Sequence, residues 1–177
     1  VLFNNLSNEG AVTTDAANIN LRAHIDGPFS LCEMLTITDS GTALDISGFR
    51  FAARNQGTDG SVRGIVQTDK AAGLVAAQVT GSGACTVDVS ACFETGSQYA
   101  LESTAGTVGG LFGSIDQGAA VSVTTGDMDL LVSTAAGGNA GLLAGENNGI
   151  LTVSSDSTYT GSVTAAGSYA AGLVGVN

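Results

Sequence analysis

One short phrase recurs along this chain: "AGLVA" at 72–76, "GGLFG" at 109–113, "AGLLAG" at 140–145 and "AGLVG" at 171–175. With a fainter copy at Gly48, its leading glycines fall at Gly48, Gly73, Gly110, Gly141 and Gly172, at intervals of 25, 37, 31 and 31 residues and a mean of 31. A glycine also stands eight residues further on in three successive copies, at Gly81, Gly118 and Gly149. Self-similarity at a fixed period of this size marks a repeat architecture, in which each unit is too small to bury its own apolar face and must stack on its neighbours.

The unit 141–171 divides into "GLLAGEN", "NGILTVSSDS" and "TYTGSVTAAGSYA", three β-prone runs separated by Asn-Gly, Ser-Asp-Ser and Ala-Gly. The unit before it parallels this with "GLFGSID", "QGAAVSVTTGD" and "MDLLVSTAAGGNA". Neither contains a stretch of about 10–15 residues with the 3,4 apolar spacing of a helix. The pattern predicts an all-β parallel β-solenoid (β-helix) with about 31 residues and three short strands per coil, right-handed because parallel crossovers are. Inward Leu, Val, Ile and Ala would form continuous columns, and glycines would serve the corners, where a Cβ has no room. Asn148, Asn177 and Asn4 or Asn5 are candidates for an amide ladder, or are plain turn residues.

Composition agrees with stacked strands. The 177 residues include 26 Gly, one Pro and no Trp, and 44% are hydrophobic, supplied mainly by small and β-branched side chains. A net charge of −11, from 5 basic and 16 acidic residues, repels phosphate backbones and anionic membrane surfaces, which sets nucleic-acid binding aside. No apolar run reaches the length of about 18 residues that membrane insertion requires. Scarce Lys and abundant Ser and Thr favour an extracellular or cell-surface setting. Val1 opens directly onto an apolar triplet without an initiator Met, so the chain is expected to be a processed product or a piece of something longer.

The whole chain, 1–177, reads as a single repeat domain. Residues 27–45, which hold the only Pro and a short helical turn in "GPFSLCEM", are expected to interrupt the stack as an insertion. Residues 86–100 are expected to form an outward loop, and 103–177 to contain the regular coils. Cys85 and Cys92 could pin the loop as one local disulfide, leaving Cys32 buried, since three cysteines fit neither a dense framework nor a zinc spacing.

The phrases resemble the GLUG-motif repeats, a family with a Gly-Leu-apolar-Gly signature found in bacterial surface and secreted proteins. The signature is complete at Gly110-Leu111-Phe112-Gly113 and at Gly172-Leu173-Val174-Gly175. One insertion loosens it to Gly141-Leu142-Leu143-Ala144-Gly145, it is degraded at Gly73-Leu74-Val75-Ala76, and it is faint at Gly48-Phe49-Arg50-Phe51. The resemblance covers 70–177 and implies a scaffold or adhesive stalk. It carries over no catalytic residue, and His-Glu-x-x-His is absent.

Catalytic and metal chemistry finds little to stand on. The sole histidine, His24, cannot build a metal site or triad alone and reads as a surface or strand-edge residue. Asp127 and Asp129 are the calcium candidates, with Asp116, Glu146 and Asp156 as acidic corners, against the simpler reading of solvated carboxylates. Glycine-rich spellings lie between strands and lead into no helix, so they hold no nucleotide. No cofactor is expected.

The function expected from this reading is non-enzymatic: a structural or adhesive segment of an extracellular surface protein. It would serve as stalk, scaffold or adhesin, and bare terminal coils would let copies stack head to tail into a filament or continue a longer protein. Host, cell-surface or carbohydrate ligands would bind through the loops. The rival classes are a carbohydrate-active parallel β-helix enzyme, which needs converging carboxylates in a groove, and an ice-binding solenoid. The latter needs regular Thr rows, for which Thr104, Thr134 and Thr164 lie near repeat spacing.

Overall fold

The computed structural model of the chain describes residues 32–38, 40–45, 63–93, 98–154 and 156–177, with short strands at 14–15, 18–20, 23–24 and 51–52. The described residues are all-β, with no helix. Among the described residues, strands far apart in sequence pair in parallel, and the single antiparallel pairing joins Thr14–Asp15 to Asn18–Asn20. The arrangement is consistent with a parallel β-solenoid.

Three sheets carry the stack. Sheet I runs Ala23–His24, Arg63–Thr68, Gln98–Ser103, Met128–Thr134, Tyr159–Ala165. Sheet II runs Cys32–Ile37, Ala76–Gly81, Phe112–Ile115, Ala144–Asn147, Val174–Val176. Sheet III runs Ser40–Asp45, Ala84–Asp88, Ala120–Thr124, Ile150–Val153. Two-residue corner strands, Val108–Gly109, Ala140–Gly141 and Ala170–Ala171, pair between sheets I and II. One strand from each sheet makes a tier, and successive tiers hydrogen-bond edge to edge.

Period-two alternation decides which side chains enter. In Met128–Thr134 every odd-placed residue, Met128, Leu130, Val132 and Thr134, is buried. Parallel register then lines like upon like into columns: Leu101, Val132 and Val163 in sheet I, Leu35, Val79 and Ile115 in sheet II, and Leu44, Val87, Val123 and Val153 in sheet III. Each fully buried Leu or Val contributes about 1.5–3 kcal/mol, so the columns are what hold a strand-only chain together.

The register corrects several expectations. Residues 32–37 and 40–45 are strands, not an insertion: Leu35 and Ile37 are buried while Met34 and Thr36 are exposed, an alternation hidden at sequence level by the nearby Pro28. The expected loop at 86–100 shrinks, because Ala84–Asp88 and Gln98–Ser103 are strands, and residues 94–97 lie outside the description. Between strands, the path from sheet II to sheet III differs from tier to tier. Residues 116–119 bridge it in one tier, and Asn148 and Gly149 alone in the next. Gly149 therefore sits against the Ala119 carbonyl and does not match Gly118.

The recurrent phrase also shifts by one residue. Gly109 pairs with Gly141 and Gly141 with Ala171, while Phe112 pairs with Ala144 and Ala144 with Val174. Leu111, Leu143 and Leu173 therefore form one column and Gly113, Gly145 and Gly175 another, with no insertion at 141–145. Gly141 and Leu142 stand level with Gly109 and Gly110, not with Gly110 and Leu111. A Cβ on Gly109 would lie 1.8 Å from the Phe112 carbonyl oxygen, which is why the tight corner needs glycine there.

Candidate functional site

The phrase that closes each corner also shapes the surface. Because the corner strand turns sharply into sheet II, the residues before it and the outward residues of sheet II come close together on the outside of the stack. Register places Ala71, Thr107, Asn139 and Tyr169 along one wall, each immediately before a paired corner residue. Gln78, Ser114, Glu146 and Val176 form the other wall. Between them stand Ala77, Gly113, Gly145 and Gly175, and a Cβ on Gly113, Gly145 or Gly175 would meet the corner-strand carbonyl of Ala72, Val108 or Ala140 within about 3.1 Å, so the corner packs directly onto these glycines. The walls leave one shallow recess of about 380 Å³, which Lys70 shares with Ala71, Ala77, Gln78, Thr107, Ser114 and Glu146.

Hydrogen bonds fix the walls. Thr107 Oγ1 accepts from the Asn139 backbone N–H at 3.3 Å, and Asn139 Oδ1 accepts from that of Tyr169 at 3.5 Å. Glu146 receives Asn148 Nδ2 at 2.7 Å on Oε1 and Asn139 Nδ2 at 3.4 Å on Oε2, so its carboxylate is held by two neutral amides. Gln78 Nε2 donates to Asp116 Oδ2 at 2.9 Å. The Lys70 backbone is pinned, its N–H donating to Thr68 Oγ1 at 3.1 Å and its carbonyl accepting from Ser103 Oγ at 2.6 Å. Of these residues the sequence marks the acidic ones and Asn148, which here bonds Glu146 and not another asparagine of a ladder. The other wall residues carry no local motif and become visible only when tiers are placed in register.

The calcium candidates are engaged otherwise. Asp127 Oδ1 accepts from the Thr158 backbone N–H at 2.7 Å, tying two tiers together, and Asp129 Oδ1 accepts from Gln98 Nε2 at 3.1 Å. Among the described residues no group of three or more His, Cys, Asp and Glu side chains comes together as a metal cage would need. Asp116 and Glu146 lie on the same side of the stack but at different places, Asp116 on a corner and Glu146 within a strand.

Cys85 and Cys92 do not form the expected disulfide: both are buried thiols. Cys85 faces inward in column with Val121, and Cys92 is buried in the turn after the strand, each serving as a small hydrophobe. Burial pushes the Cys85 thiol above its ordinary pKa, against a smaller opposing pull from a hydrogen bond to the Leu44 backbone. Thr104, Thr134 and Thr164 do not share a column either. Thr134 is buried and pairs with Ala165, Thr164 pairs with Ser133, and Thr104 sits beyond the end of its strand. The side chains of His24 and Cys32, and residues Asn4 and Asn5, lie outside the description.

Among the described residues no helix is long and apolar enough to cross a membrane. No family model matches the chain, and no curated protein or solved structure matches it, so the likeness to GLUG-motif repeats rests on the recurrent phrase itself.

Proposed function

We propose that this chain is a non-enzymatic structural segment of an extracellular surface protein, a right-handed solenoid stalk with coils of about 31 residues. The observation that carries the reading is the uninterrupted parallel register from Gln98 to Val176, in which every described strand pairs with one a repeat away. Side-chain bonds such as Gln98 to Asp129, 31 residues apart, add inter-tier ties on the outside. Such a stack resists extension along its axis through backbone hydrogen bonds and columns repeated at every tier, which suits a spacer or scaffold.

The outermost tier is suited to further stacking. Ile150–Val153, Tyr159–Ala165 and Val174–Val176 each lie at the edge of their sheet, and Ile150 and Leu173 are 62% and 47% exposed. Another tier, from the same polypeptide or from a second copy, would pair with these strands and cover those side chains.

Immunogold labelling of unpermeabilised source cells tests the surface assignment. Label on the outer face, lifted from the membrane on rods or fibres, is the expected result. Label confined to the cytoplasm of permeabilised cells would sink it.

A further inference from the structure

We infer that the corner Asn148–Gly149 is a site of spontaneous covalent modification, at which the backbone attacks the asparagine amide and converts it, through a succinimide, to aspartate or isoaspartate. The reaction needs an asparagine side chain in solvent and a following N–H free to act as the nucleophile. Asn139, Asn147 and Asn148 are the asparagines that have both a described side chain and a following residue, and they differ in that N–H. After Asn139, the Ala140 N–H donates to the Tyr169 carbonyl at 2.9 Å. After the buried Asn147, the Asn148 N–H donates to the Ile115 carbonyl at 2.8 Å. Asn148 itself is exposed, and Gly149 after it donates no backbone hydrogen bond to any described residue. Packing keeps the site open, because a Cβ at 149 would lie 2.3 Å from the Ala119 carbonyl oxygen and 2.6 Å from that of Asp116. Glycine is therefore required there, and no side chain shields the attack.

In the first step the Gly149 nitrogen gives up its proton and bonds to Asn148 Cγ, while the Cγ–Nδ2 bond breaks and Nδ2 takes up a proton and leaves as ammonia. Water, the second reactant, then adds to either ring carbonyl. Opening at Cγ gives aspartate, and opening at the main-chain carbonyl gives isoaspartate, with the backbone rerouted through Cγ. Either product disturbs the corner. Asn148 Nδ2 donates to Glu146 Oε1 at 2.7 Å, and both products replace that donor with a carboxylate beside a carboxylate. Isoaspartate also lengthens the backbone of a link made of Asn148 and Gly149 alone, between Ala144–Asn147 and Ile150–Val153. The bonds that seat this link on the neighbouring tier, Asn148 N–H to Ile115 and Ile150 N–H to Ala119, flank the altered atoms, so the outermost strand of sheet III loosens first. The chemistry uses only this chain and water, and stands whether or not the stack serves as a stalk.

The test holds the full 177-residue chain in mildly alkaline buffer, folded in one sample and unfolded by urea in another. Each asparagine is followed by peptide mapping, with isoaspartyl methyltransferase labelling to count isoaspartate. Folding should slow conversion at Asn148 by less than about tenfold, and at Asn139 and Asn147 by more than about tenfold, because there the attacking N–H must first leave a hydrogen bond. Asn148→Gln, whose longer side chain closes the ring poorly, should give no product at that position. The aged and unaged chains, separated by ion exchange on the added charge, should differ in Tm by about 2–4 °C, the aged form lower. The chemistry is overturned if folding protects Asn148 as strongly as Asn139 and Asn147, or if Asn148→Gln gains the same acidic form at the same rate. The structural consequence is overturned if the separated forms melt together.

Discussion

Asn147 donates through Nδ2 to Oδ1 of Asn177 in the next tier, at 2.5 Å, from a position directly in column with Ile115 and Val79. The column is aliphatic up to Ile115 and becomes amide above it. Asn147 is only 7% exposed and its own Oδ1, buried, has no partner. An unpartnered buried carbonyl costs about 1–3 kcal/mol, whereas the bond to the exposed Asn177 returns about 1 kcal/mol or less. Asn147→Leu should therefore raise stability by about 1 kcal/mol in urea denaturation. A loss of similar size would show that the amide pair matters more than the burial of its oxygen.

The corner phrase makes a sharper contrast. A Cβ on Gly109 would meet the Phe112 carbonyl at 1.8 Å and Ala144 Cα at 2.7 Å, all rigid backbone, while one on Gly172 would meet nothing within 4 Å. Gly109→Ala should cost about 3 kcal/mol, and Gly172→Ala should stay within about 0.5 kcal/mol of the parent. Equal effects in denaturant midpoints would mean that the sequence signature, and not the close approach, governs these positions.

These two glycines also show how far the sequence could be read. Recurrence of an apolar-glycine phrase was enough to anticipate stacked parallel strands, because no unit that small can bury its own face. It could not set the register, since a chain with 26 glycines offers a match at either of two adjacent positions, Gly109 or Gly110, both buried, and only the strand pairing of Gly109 with Gly141 separates them. The same excess made Gly118 and Gly149 look equivalent although the corners holding them differ in length. Asn147 and Asn148 stand side by side at the same corner, and only inward or outward direction tells ladder from surface. The recess beside Lys70 is illegible for a related reason: Thr107, Ser114 and Glu146 are ordinary polar residues until stacking brings them together.

The leucine column grades along the stack. Leu111 and Leu143 are buried to the last percent, and Leu173, in register with them, is 47% exposed. Leu143→Ala should cost about 2–5 kcal/mol and Leu173→Ala less than about 1 kcal/mol. If a further tier covers the stack in the native assembly, the Leu173 variant should instead weaken that assembly, seen as shorter or fewer rods by electron microscopy.

The acidic pair at 127 and 129 leads to a prediction about metal. Asp127 accepts a backbone bond from Thr158 and Asp129 a side-chain bond from Gln98. Calcium would have to break both to gain oxygens, and no third carboxylate joins them among the described residues. Thermal unfolding should be the same in millimolar calcium and in EDTA, and Asp127→Ala should cost about 1–2 kcal/mol under both conditions. A calcium-dependent rise in Tm that disappears in the variant would restore the pair as a metal site.

Cys85 supplies a pH dependence with a definite sign. Burial raises its thiol pKa in the folded state, so above the unfolded value of about 8.5 the unfolded chain releases a proton that the native chain retains. The unfolded state then binds fewer protons, and stability falls as pH rises through that value until the folded thiol itself ionises. In this window the thiol lowers stability by up to about 1.4 kcal/mol per pH unit, relative to Cys85→Val, in which the term is absent. Denaturation of both proteins from pH 7 to about pH 10 should show the gap opening above about pH 8.5. Parallel curves throughout would mean that the thiol is solvated in the native state. A difference abolished by reductant would mean that the pair with Cys92 oxidises after all.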